Sequence, residues 1–283
     1  MNGILVVNKE KDYTSRDIVN IVGKSLGTKK VGHTGTLDPL ATGVLVLAIG
    51  SGLKLVELLM DHDKEYIAKV RLGLETDTLD ITGNVIREIK VNDITKEQVE
   101  VVLKSFVGTI EQTVPKYSAV KVNGKKLYEY ARNGEEVELP VKSVDIYSLE
   151  LISDIIDNSF YIKCHVSKGT YIRSLIADIG ECLGTGAVME ELNRTKVGNF
   201  TLKEAYSLEQ IKTGEYKLLE LSDVLDLPRV IVDEVLEVRI RNGQVLQKFF
   251  ESDMAMIVNN EGKLLAIYQA YGDDYVKPYR MFL

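Results

Sequence analysis

The sequence predicts an α+β protein: a mixed, largely antiparallel sheet with helices over residues 1–226, and a small all-β unit over residues 227–283. Three observations carry this reading. Strand-like and amphipathic stretches follow one another without the regular βαβ alternation of a parallel sheet. Helix starts are written in capping residues, Thr14 and the box Thr95-Lys-Glu-Gln98. After Leu227-Pro228 the pattern changes to short apolar runs separated by turn signals.

In chain order, Gly3 to Val7 reads as a buried strand, and the helix opening at Thr14 carries Ile18, Ile21, Val22 and Leu26 on one face before Gly27 closes it. Val31 to Gly43 holds three glycines and a proline, which favours a shaped loop. It runs into Val44-Leu-Val-Leu-Ala-Ile49, an unbroken apolar run expected to be a strand buried on both faces. Leu53 to Met60 reads as helix. Lys64 to Leu72 alternates as a strand with Tyr66, Ala68, Val70 and Leu72 on its apolar face. A helix from Thr95 to Phe106 precedes strands near Thr109 to Thr113, Ser118 to Val122, Val141 to Ile152 and Phe160 to Val166. The turn Ser167 to Arg173 then enters a helix with Ile172, Leu175, Ile176, Ile179 and Leu183 at amphipathic spacing. Beyond Pro228, a strand over Glu237 to Gly243 and a hairpin over Ala255 to Ile267, turning at Asn259-Asn-Glu-Gly262, complete the small unit.

Composition excludes several classes. With 45% hydrophobic and 27% charged residues the chain suits a globular protein with a sizeable core. Its longest apolar run falls far short of the roughly twenty residues that a membrane helix needs. The N-terminus shows no export pattern, and Cys164 and Cys182 are too few for a disulfide framework, so a cytoplasmic protein with reduced thiols is expected. The histidines His33, His62 and His165 form no metal-ligand spacing, and no metal is expected. The net charge of −7 argues against nucleic acid at first sight, yet charge is unevenly spread. Lys9, Lys11, Arg16, Lys24, Lys29 and Lys30 cluster early. Lys116 to Lys126 and Leu192 to Lys203 are purely basic, while acid collects between Glu204 and Arg239. Three basic stretches are what a groove that tracks phosphates requires.

The loop Val31 to Gly43 has one formal charge, Asp38, at the mouth of a core strand. An Asx-turn is the ordinary use of aspartate before proline. The whole string Gly32-His-Thr-Gly-Thr-Leu-Asp-Pro-Leu-Ala-Thr-Gly43, however, resembles the motif of the TruB family of pseudouridine synthases. So do Asp63-Lys-Glu-Tyr66, Tyr117-Ser-Ala-Val-Lys121 with Gly124 to Arg132, Lys168-Gly-Thr-Tyr-Ile-Arg173, and Leu192-Asn-Arg-Thr195, in this order. The chain departs from the family's pattern at Asn8-Lys-Glu-Lys-Asp-Tyr-Thr-Ser15, which keeps Lys9 but not the proline and glycine, and at Asn193.

The resemblance implies a pseudouridine-synthase fold with a PUA-like RNA-binding domain at the C-terminus. It implies isomerisation of the uridine at position 55 in the TΨC loop of tRNA, with the TΨC stem-loop as partner, no cofactor, no obligate protein partner and a monomer. It puts the catalytic role on Asp38, paired by Arg173, with Tyr66 stacking on the flipped uracil. Tyr171 and Leu192 are expected to line the pocket, His33 to fill the space that the base leaves, and Lys9 and Arg194 to contact substrate. The arginine is expected to keep Asp38 ionised despite burial, because a nearby opposite charge favours the charged form. The C-terminal unit is expected to add tRNA contacts but none to the reacting uridine. A non-catalytic tRNA-folding protein and a guide-RNA-dependent synthase are the alternatives on the same scaffold.

Overall fold

The computed structural model describes residues 1–282. In chain order its elements are β1 (Gly3–Lys9), α1 (Ser15–Ser25), β2 (Val31–His33), β3 (Thr42–Ile49), a 3-10 turn (Gly50–Leu55), α2 (Val56–Met60), β4 (Lys64–Leu72), β5 (Leu74–Thr76) and β6 (Val85–Glu88). There follow α3 (Lys96–Ser105), β7 (Gly108–Thr113), β8 (Lys121–Val122), β9 (Lys125–Lys126), α4 (Leu127–Asn133), β10 (Val141–Leu151), β11 (Ser159–Val166) and α5 (Ile172–Cys182). The rest comprises β12 (Ala187–Val197), β13 (Phe200–Thr201), a 3-10 turn (Leu202–Glu204), α6 (Leu208–Thr213), β14 (Arg229–Ile231), α7 (Glu234–Arg241), β15 (Leu246–Gln247), β16 (Met254–Val258), β17 (Leu264–Tyr271) and β18 (Tyr275–Met281).

The main sheet runs in the order β1-β3-β12-β4-β11-β10-β7. Its neighbours are antiparallel except β12 beside β3, where Asn193 and Arg194 lie opposite Thr42 and Gly43. That junction needs glycine. Gly43 has a φ of 104°, and a Cβ there would run into the Arg194 carbonyl and the Asn193 side chain. Both N-terminal helix starts use the predicted chemistry. Thr14 and Asp17 form a capping box for α1, and Thr95 and Gln98 form one for α3.

The strands β1 and β3 are buried on both faces, for a definite reason. Leu5, Val7, Leu45, Leu47 and Ile49 join a core with Ile18, Val22 and Tyr66. The alternate residues Ile4, Val6, Val44, Val46 and Ala48 face a second core that includes Met256, Val258, Leu264, Ile267 and Phe282. The second sheet, β14-β16-β17-β18-β15, therefore packs on the back of the first.

Two sequence expectations change, and one motif without an expected element gains one. The run Glu237 to Gly243 is not a strand but lies largely in α7, capped by Asp233, with Glu234 and Glu237 in its first turn and Arg239 and Arg241 in its last. These charges suit the helix dipole. The C-terminal unit is thus a five-stranded sheet with a helix. Ser118 to Val122 forms only the two-residue strand β8, paired with β9. Leu192 to Thr195 belongs to an eleven-residue strand, β12, at the centre of the main sheet. Among the described residues no helix is long and apolar enough to cross a membrane.

Candidate active site

Asp38 stands in the loop between β2 and β3, at the centre of the main sheet, and the loop is fastened from several sides. Ser15, the first residue of α1, is buried; its hydroxyl accepts from Leu37 N–H at 2.8 Å and donates to the Leu37 carbonyl at 3.1 Å. Lys9 Nζ donates to the Pro39 carbonyl at 3.2 Å. From β12, Arg194 donates through Nε to the Val44 carbonyl at 2.8 Å, through Nη1 to Thr36 at 3.3 Å and through Nη2 to Gly35 at 3.2 Å. A glycine-bearing loop has little intrinsic order, so these side-chain bonds to its carbonyls supply it.

Arg173 enters from the first turn of α5 and is 6% exposed. Its Nε lies 2.8 Å from Asp38 Oδ2 and its Nη2 lies 3.3 Å from Asp38 Oδ1, a two-point pair. Nη1 also donates to the Thr78 carbonyl at 2.9 Å, and Nη2 to the Tyr117 carbonyl at 3.0 Å. Behind it stands a second carboxylate. Asp80 Oδ2 is 3.9 Å from Nη1, while Asp80 Oδ1 accepts from Thr82 N–H at 3.0 Å and from the hydroxyls of Thr78 and Thr82 at 2.9 and 2.6 Å. The motif strings contain no such acid; it emerges only in three dimensions.

Burial raises the pKa of Asp38 above the ordinary aspartate value. Arg173 pulls it back, and Asp80 pushes it up again. Arg173 thus acts in the expected direction, favouring the charged form, while loss of hydration is the larger of the two effects.

Asp38 opens onto a cavity of about 760 Å³ whose wall includes Tyr66, Tyr171, Leu192, Arg173 and Arg194. Tyr66 is 8% exposed and lies on β4 opposite Arg194 of β12; burial raises its phenol above the usual tyrosine value. Tyr171 sits at the start of α5, and burial raises its phenol likewise. Lys64, Lys142 and Lys168 add cations to the wall, against Asp61 and Asp38. Lys64 is mostly buried, with Nζ donating to the Met60 carbonyl at 3.0 Å and to that of His62; burial lowers its pKa to about 8. A larger cavity, about 940 Å³, lies beyond Tyr117, but its rim carries Asp77, Glu135, Glu136, Glu138 and Asp178 against Lys116. Of the two, the cavity beside Asp38 has the wall whose charge suits a polyanion.

Three predicted site residues are placed differently from the others. Lys9 is 0% exposed; with its ammonium on the carbonyls of Glu10 and Pro39, it braces the loop from behind and is no surface RNA contact. Burial lowers its pKa to about 8. Arg194, 2% exposed, reaches the cavity wall but spends its guanidinium on the loop carbonyls. His33, at the end of β2, is outside the cavity wall; its Nδ1 is buried without a hydrogen-bond partner, and burial lowers its pKa. Ser15, Asp80 and Gln112, which the motif reading did not single out, act on main-chain atoms or on Arg173. Ser15 alone lay within a quoted motif. Among the described residues, no group of His, Cys, Asp and Glu has the geometry to hold a metal ion.

Two family models match the chain: the N-terminal domain of TruB family pseudouridylate synthases over residues 24–172, and the tRNA pseudouridylate synthase B C-terminal domain over residues 173–233. A tRNA pseudouridine synthase B from Caldanaerobacter subterraneus subsp. tengcongensis is 41% identical, covering 100% of this chain and 99% of its own. One from Halalkalibacterium halodurans is 44% identical, covering 99% and 97%. Among solved structures, a chain of an H/ACA RNP bound to a substrate RNA containing 2'-deoxyuridine superimposes with a TM-score of 0.74 at 23% identity, over 99% of this chain and 85% of that one, which shows a shared fold.

Proposed function

This chain belongs to the TruB family of pseudouridine synthases, and on that premise we propose that it isomerises uridine to pseudouridine in tRNA, at position 55 in the TΨC loop. The observation that carries the reading is the Asp38–Arg173 pair on the wall of a cation-lined cavity. The reaction breaks the bond from C1′ to N1 of uracil and forms one from C1′ to C5; a proton leaves C5 and one joins N1. Nothing is gained or lost, so the balance calls for no cofactor. It calls for a carboxylate acting as nucleophile or base, and for a base lifted from its stack into an enclosed site.

Asp38 supplies that carboxylate, and Arg173 aims it. Tyr66 gives the flipped uracil a buried face to stack on, with Tyr171 and Leu192 closing the pocket. His33, beside the cavity and lacking a partner at Nδ1, enters the RNA where the base has left. Lys142 and Lys168 meet phosphates at the rim, and the second sheet adds tRNA contacts remote from the reacting uridine. The protein acts alone, as a monomer.

The test is to incubate purified protein with an unmodified tRNA transcript and map pseudouridine. Product at position 55 is expected without any guide RNA, which also separates this reading from guide-dependent synthesis. Asp38→Asn should form none while binding tRNA within roughly tenfold, about 1.4 kcal/mol, because volume is conserved and only the chemistry is removed. A wild-type protein that binds tRNA but yields no pseudouridine would leave the non-catalytic reading standing.

A further inference from the structure

Gln112 is 1% exposed and lies one residue from the end of β7, outside the cavity wall. Its amide spends both ends on a single residue: Oε1 accepts from Tyr171 N–H at 2.8 Å, and Nε2 donates to the Tyr171 carbonyl at 3.1 Å. Tyr171 is the cap position of α5, and its own side chain caps nothing. The helix that carries Arg173 is therefore anchored from a strand more than fifty residues earlier. The same stretch of chain holds the helix at two further points. The Thr113 carbonyl accepts from Ser174 Oγ at 2.9 Å, and the Tyr117 carbonyl accepts from Arg173 Nη2 at 3.0 Å. Residues on both sides of Arg173 are thus fixed by the exit of β7.

We propose that Gln112 is a positioning residue for the isomerisation: its two-ended grip on Tyr171 sets the first turn of α5, and so aims Arg173 at Asp38 and the Tyr171 ring into the pocket. The inference rests on the function proposed above. The Tyr171 carbonyl also accepts from Leu175 N–H at 3.0 Å, the first bond of the helix, so an N–H and a carbonyl oxygen together face one side chain, which must offer an acceptor to the first and a donor to the second. Glutamine supplies both; an ionised glutamate supplies acceptors only; a protonated glutamic acid supplies both again. Since Gln112 does not reach the cavity, its loss acts on geometry and not on contact with RNA.

The experiment uses the full chain, an unmodified tRNA transcript and single-turnover kinetics at saturating RNA, with tRNA affinity measured by filter binding. Gln112→Leu should fall about a hundredfold in rate, the scale of an ångström-sized misplacement, with tRNA affinity within about threefold of wild type. Gln112→Glu should be slow at pH 8 and recover as pH falls, because its neutral form restores both bonds; the ratio of its rate to that of wild type rises toward low pH. A merely structural role would not produce that ratio. A leucine variant at the wild-type saturated rate, or a Glu-to-wild-type ratio flat with pH, overturns the proposal. If the leucine variant does not fold, the ratio decides alone. Wild type that makes no pseudouridine removes the proposed function and this inference with it; active wild type beside an unaffected variant removes the inference only.

Discussion

Arg173 has no spare donor of consequence: Asp38 takes two contacts, two backbone carbonyls take two more, and Asp80 faces Nη1. A lysine keeps the charge but offers no planar fork, so Arg173→Lys should lower the single-turnover rate by about a hundredfold. The pH dependence follows from the raised pKa of Asp38. If the ionised form reacts, the rate falls with pH through a value above the ordinary 3.8, and loosening Arg173 moves that acid limb higher. A variant altered only in the salt dependence of tRNA binding would show that Arg173 serves phosphate instead. Lys9 makes a separate prediction, about stability. Its pKa falls from 10.5 in the open chain to about 8 in the fold, so between those values the unfolded chain binds more protons. Lys9 therefore adds stability as pH rises through that window. In urea unfolding at pH 8 and pH 10, wild type should gain on Lys9→Met over this range; parallel shifts would mean that burial does not perturb the ammonium.

At the level of elements, the legible parts were those with local signals. The N-cap Thr14 gave α1, a capping box gave α3, and strict alternation gave β4, whose burial alternates from Lys64 to Leu72. The strand β12 was not legible, because Glu190, Glu191, Asn193 and Thr195 dilute its apolar pattern and register shifts interrupt its pairing with β4. The helix α7 was misread because Val238 and Ile240 alternate with Arg239 and Arg241, a period of two inside a helix whose cap lies upstream at Asp233. The site divides the same way. Asp38 and Arg173 stand in motif strings with a role attached, whereas Ser15, which ends a quoted string without one, and Asp80 and Gln112, which lie outside them, work through contacts that cross the chain and leave no local spacing. The element-scale test is Gly43→Ala. The backbone conformation at φ 104° alone costs a residue with a side chain on the order of 1–3 kcal/mol, and the added methyl strikes the Arg194 carbonyl at the parallel junction. Thermal unfolding should show a clear loss, with the Asp38 loop displaced and turnover reduced; an alanine variant as stable and active as wild type would mean that β3 and β12 can separate without cost to the site.

The two sheets were expected to divide the work, with residues 227–283 as an RNA-binding attachment. Every residue of the cavity wall does precede Thr195, which fits that division of chemistry. The packing argues against a detachable attachment, though. The unbroken apolar run Val44 to Ile49 signals burial on both faces, and the second face is covered by Met256, Val258, Leu264, Ile267 and Phe282. Polar contacts cross the same boundary: Lys54 Nζ donates to the Met281 carbonyl at 2.6 Å, and Arg280 pairs with Glu57 at 2.6 Å. A chain ending at Asp226 would expose Ile4, Val6, Val44 and Val46 on the strands that hold the Asp38 loop. A contiguous apolar face of that kind drives association. Such a chain should therefore unfold at a markedly lower temperature, bind a hydrophobic dye and self-associate. It should also lose single-turnover rate at saturating tRNA, because the strands beneath the site have lost their backing. Arg280→Ala, which removes the Glu57 ion pair together with the donor to the Tyr279 carbonyl and the guanidinium over the Tyr279 ring, should change stability by only about 1 kcal/mol. If the shortened chain instead stays monomeric, melts with the full-length protein and turns over saturating tRNA at the full rate, the second sheet is an RNA-binding attachment alone, and the apolar face it covers is not needed to hold the active site.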